Sequence, residues 1–143
     1  MRSDLVLAVY VVAFSVGTMS HVVDIFRWGI RPHNQYHWAF NLFWISLAFF
    51  DPLAIVLLLR RQRAGLLLAG LIMVLDVAMN VTAGVHEYLS IGRFLMWGLY
   101  TQVPFALFLL ATAPSLWSAF GRGEPPNDEL QRTRPAQAME PRR

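Results

Sequence analysis

Cysteine is absent from the 143 residues. Its absence excludes disulfides, thiolate metal sites and thiol redox chemistry linked to quinones. Lysine is absent too, so all 12 basic residues are arginine; this is a composition bias to which we attach no function. Charge of either sign is scarce. Charged residues make up 15% of the chain, where a soluble domain carries about 25%. The net charge of +3 is too small and too scattered for a nucleic-acid footprint.

What the chain has in excess is apolar surface. Hydrophobic residues make up 56% of it, against about 45–50% in a soluble domain. The charges fall between long apolar blocks or in the C-terminal tail. A soluble core does not require that segregation, whereas membrane spans do.

A helix needs roughly 20 apolar residues to cross the hydrocarbon core. Four segments qualify, over residues 5–23, 37–59, 64–85 and 94–113. We therefore expect an all-α polytopic membrane protein, with a four-transmembrane-helix bundle over residues 1–120. Residues 121–143 are rich in proline and mixed charge, lack an apolar stripe, and are expected to form a disordered tail. The first span has a signal-peptide alternative. Its apolar stretch is long for an h-region, however, and no A-x-A-like cleavage site follows. No internal repeat is present.

Arginines set the expected orientation. Arg60, Arg61 and Arg63 crowd one very short connection, and Arg2, Arg122, Arg132, Arg134, Arg142 and Arg143 fall on the same side of a four-span chain. Arg27, Arg31 and Arg93 fall on the other. Both termini are expected to be cytoplasmic, with spans two and three forming a tight antiparallel hairpin.

At about 100° per residue, Asp76, Asn80, Ala83 and Glu87 share one face of span three, and Ala69 and Gly65 extend it. Small and polar residues suit helix–helix contacts in lipid, so this face is expected to point into the bundle. His37, Asn41, Trp44, Ala48 and Asp51 share a face of span two, and Tyr10, Phe14, Gly17, His21 and Asp24 do so more loosely in span one. Counted from the cytoplasmic ends, Asp51 lies at roughly 12 Å and Asp76 at roughly 18 Å. Asn41 and Asn80 follow at roughly 24–27 Å, and His37 and Glu87 at about 33–35 Å. If the two faces meet, they form a polar ladder across the membrane. Pro52 frees the Ala48 carbonyl inside span two, and Pro104 frees the Tyr100 carbonyl in span four beside Thr101 and Gln102.

Asp51 and Asp76 are the sharpest features. An acid at the centre of an inserted helix costs about 2.5–3.5 kcal/mol and is a functional candidate by default. No arginine lies at that depth to neutralise either one. The expected ligand-binding or proton-handling set is Asp51, Asp76, Asn80, Asn41, Trp44, Glu87 and His37. The competing structural reading is a protonated Asp bonded to a neighbouring helix or to a proline-freed carbonyl. His21, Asp24, His33 and His37 are weak metal candidates at the outer face: His33 and His37 stand four apart, but that spacing alone does not make a zinc site. No metal, cofactor or catalytic residue is assigned. The tryptophans and tyrosines near span ends suit interfacial anchoring.

The stretch "FNLFWISLAFFDPLAIVLLLRRQRAGLLLAGLIMVLDVAMN" resembles small uncharacterised bacterial four-span integral membrane proteins, through "DPLA", "RRQRAG" and "IMVLDVAMN" in that order. The resemblance covers spans two and three and implies a bacterial inner-membrane protein, with no chemistry attached. A fainter likeness is to the EXPERA group of sterol isomerases and sterol-binding receptors. It rests on span count, cytoplasmic termini, Ser20–His21 and the "YTQVPF" proline. Acids lining a membrane cavity are typical of that group, but those of this chain do not align with them and no catalytic residue is carried over. Small multidrug-resistance transporters also have four spans, but they depend on a glutamate in the first span. Here span one, from Leu5, has no acid before Asp24.

Three functions are therefore carried forward. The first is a membrane protein that binds or passes a small cationic or amphipathic ligand, or a proton, through a polar cavity. The second is a noncatalytic membrane subunit or assembly partner. The third is an EXPERA-like membrane enzyme. The expected partners are the lipid bilayer and either a second copy or another membrane protein, with no nucleic acid.

Overall fold

The structure, a computed structural model, describes residues 3–30, 37–91 and 97–121. It has four helices: α1 (Ser3–Trp28), α2 (Trp38–Leu59), α3 (Arg63–Ile91) and α4 (Trp97–Gly121). All four are long and apolar enough to cross a membrane. Even α2, the shortest at 22 residues, extends about 33 Å at about 1.5 Å per residue. The fold is that of a polytopic helical membrane protein, and no strand occurs among the described residues.

The helices run past the ends of the apolar segments. Hydropathy marks the length needed to cross lipid, whereas a helix stops only where a breaker or cap stops it. Ser20, His21 and Asp24 are polar but helical, and α1 ends only before Gly29. There φ is +74° and the Gly29 N–H donates to the Ile25 carbonyl at 2.9 Å, a left-handed cap suited to glycine. Span four was expected to end near residue 113, before Pro114; α4 instead continues to Gly121. Pro114 removes only its own N–H from the ladder. Beyond it Leu116 and Phe120 pack into the core, which holds the last two turns in place. The tail was expected from residue 121, but Gly121 still belongs to α4; the rest of the tail lies outside the described residues, as does the start expected for span four at residue 94.

Sequence neighbours pack as neighbours in space. α1 lies on α2, α2 on α3 and α3 on α4, and α4 returns to α1 along the thinnest of the four seams. The diagonal pairs make no close backbone approach among the described residues, and a central space lies between the four helices. The α2–α3 turn is tight. Arg61 adopts φ +54° and the Gln62 N–H donates to the Leu57 carbonyl at 3.0 Å. A Cβ on Gly65 would stand 2.7 Å from the Leu58 backbone nitrogen. Only glycine lets α3 begin that close to α2.

The end of the bundle that holds the arginine turn is tied down. Arg61 Nη2 donates to Asp4 Oδ1 at 2.6 Å. The Arg63 guanidinium lies 5.1 Å from the centre of the Trp117 ring and occupies the place that a Cβ on Gly121 would take. It thus combines a cation–π contact with the negative end of the α4 dipole.

Candidate functional site

All four helices line a cavity of about 400 Å³ in the middle of the bundle. From α1 come Phe14, Gly17, Ser20 and His21, and from α2 Leu47 and Asp51. From α3 come Ile72, Met73 and Asp76, and from α4 Thr101, Gln102 and Phe105. That volume is within the usual range for a small-molecule pocket, as is an apolar wall with a few polar groups.

The register of α1 against α4 explains why the space opens where it does. Nearer the arginine turn the two helices are latched. The Tyr10 hydroxyl donates to the Leu109 carbonyl at 2.9 Å and lies 3.0 Å from Thr112 Oγ1. One helical turn further on, Phe14 and Phe105 meet edge to face at 5.7 Å. Another turn on, Gly17 and Ser20 stand opposite the Thr101–Gln102 level, and no large side chain fills the gap. Val16, Ser20 and Thr101 line the cavity and are exposed, so it opens sideways through the α1–α4 seam. In a bilayer that opening faces lipid.

Asp51 and Asp76 meet in this cavity. Both are buried, with 3% and 7% of their surface exposed, and they are near enough for their charges to interact. Their surroundings differ. Asn80 Nδ2 donates to Asp76 Oδ1 at 3.0 Å and to the Asp76 carbonyl at 2.9 Å. Asp51 Oδ1, by contrast, is buried and has no hydrogen-bond partner among the described residues. A Cβ on Gly17 would stand 2.9 Å from Asp51 Oδ2, so the glycine makes room for the carboxylate. Gln102 Oε1 is a second buried acceptor without a partner. Among the described residues no arginine lines the cavity.

The other residues expected at a site are more dispersed. Asn41 and Trp44 are buried on the α2 face they share with Asp51, but outside the cavity lining. Glu87 is half-buried and His86 exposed, further along α3. His37 is an exposed N-cap of α2: its Nδ1 accepts from the Ala39 N–H at 3.3 Å, and its ring lies against Trp38. It stands apart from the two acids. Of the outer-face metal candidates, His21 lines the cavity, Asp24 is half-buried on α1, and His33 lies outside the described residues. Among the described residues, no three His, Asp or Glu side chains converge on a metal-sized site.

Gln102 and Gly17 were not singled out as site residues by sequence. The signal for Gln102 was an amide in an apolar span two residues before Pro104. For Gly17 no signal separates a glycine beside a carboxylate from one that merely lets helices approach. No protein-family model, curated protein or solved structure matches the chain.

Proposed function

We propose that the protein is a multi-pass membrane protein that takes up a small cationic or amphipathic molecule in the cavity between its four helices, with Asp51 as the anchoring anion. One observation carries this reading: Asp51 lines a cavity of about 400 Å³ and keeps a buried carboxylate oxygen without a partner. A carboxylate that the fold itself satisfies has its lone pairs occupied by protein donors, as Asp76 has in part through Asn80 on the same helix. An unpaired buried anion is costly, and a bound cation removes that cost. The opening at the α1–α4 seam supports a ligand that partitions into lipid before it binds. Arginine placement supports cytoplasmic termini, and the sequence likeness supports a bacterial inner membrane.

The test is isothermal titration of the full chain in mild detergent. The ligands are phenethylamine, cationic at neutral pH, and phenethyl alcohol, its neutral counterpart of similar shape. The amine is expected to bind, and Asp51→Asn to weaken it by about tenfold or more while leaving the alcohol unaffected. If amine and alcohol bind alike, or Asp51→Asn changes nothing, the reading is wrong. A membrane protein that co-purifies would then favour the subunit role. A neutral hydrophobic molecule retained through purification would favour an EXPERA-like enzyme.

A further inference from the structure

We propose that Gln102 is the second arm of this site, and that the cavity selects amines carrying N–H donors over quaternary ammonium ions of the same charge. The inference rests on the reading above, that the cavity holds an organic cation.

Two buried acceptors without partners line one cavity: Asp51 Oδ1 from α2 and Gln102 Oε1 from α4. As placed, neither oxygen is hydrogen-bonded to the other or to any other described residue. Their helices are diagonal in the ring, with no close backbone approach among the described residues, and a ligand in the cavity between them can reach both. Buried acceptors without protein partners at membrane depth are costly, and the missing group on each side is a donor.

Charge alone does not specify that donor. A primary ammonium presents three N–H donors. A trimethylammonium group presents the same charge and none. The carboxylate attracts both, but only the first also satisfies the Gln102 carbonyl. Phe14, Leu47, Ile72 and Phe105 supply the apolar wall for the body of the molecule. A site built to hydrogen-bond its ligand rejects an analogue without the donor more strongly than an apolar pocket rejects a change of size.

The experiment is titration of the full chain in mild detergent with phenethylamine and with its trimethylammonium analogue, both cationic at neutral pH. The wild type is expected to bind the primary amine about tenfold more tightly. Gln102→Leu, close in volume, is expected to bind both and to lose that preference. Equal affinities in the wild type overturn the inference and leave the cation reading standing. A preference that survives Gln102→Leu also overturns it, because excluded bulk then explains the discrimination. If neither cation binds, the reading beneath fails and this inference with it. Equal wild-type affinities overturn the inference without any substitution, and if Gln102→Leu does not fold, Gln102→Met takes its place in the second comparison.

Discussion

The seam between α1 and α4 has two unlike halves. On the side of the arginine turn, Tyr10 is fully buried, its hydroxyl is bonded to α4, and its ring meets Phe105 and Phe108 edge to face. Beyond Phe14 the same two helices leave a cavity, with two acceptors lacking partners. Both halves belong to apolar helices of similar length. The difference lies in how polar groups are treated. The first half satisfies them and so is rigid and structural. The second leaves them open to whatever enters. Unpaired polar groups in lipid carry a cost, and the fold bears that cost in one half and avoids it in the other.

Six substitutions in four comparisons press on that contrast, all read as melting temperature in mild detergent. The largest effect is expected for Tyr10→Ala, which removes a buried ring and its bonds to α4 and should destabilise by about 3–5 kcal/mol. A small loss there would mean that the latched half is not what holds the bundle. Gly65→Ala comes next. Its Cβ collides with the α2 backbone, for about 1–3 kcal/mol, whereas Gly70→Ala, with open space around it, should leave melting unchanged or raise it. Equal behaviour of the two glycines would remove close packing at the turn from the account.

The third comparison bears on the acids themselves. Asp51→Leu removes an unpaired buried acceptor and should stabilise by about 1–3 kcal/mol. Asp76→Leu takes away the partner of Asn80 and should destabilise by about 1 kcal/mol. Shifts of the same sign would erase the distinction between a satisfied and an unsatisfied carboxylate. The smallest effect is expected for Asp4→Ala. Asp4 and Arg61 are largely exposed, so the pair contributes less than about 1 kcal/mol and fades at high salt.

Much of this was legible before any coordinates. Periodicity put Asp76, Ala69 and Gly65 on one face of α3, and all three are buried. Asn41, Trp44 and Asp51 likewise share the buried face of α2. The arginine-rich connection marked the hairpin because a run that short leaves no other path for the chain. His37 was less legible. Spacing put it on the same face as Asp51, but it stands at the first turn, where an unpaired N–H draws its ring into a cap. Span four was read to end near residue 113, because local sequence does not show that Leu116 and Phe120 pack against the core.

By itself, the sequence determined that four helices cross a membrane and that two acids travel inside them. Both follow from hydropathy and helical period, which are properties of single segments. The tertiary structure alone decided that Asp51 lies unpaired and that Gln102 shares a cavity with both acids. It also decided that Gly17 makes room for a carboxylate. Those facts depend on how far apart two helices stand at one level, a distance set by the side chains of all four helices together.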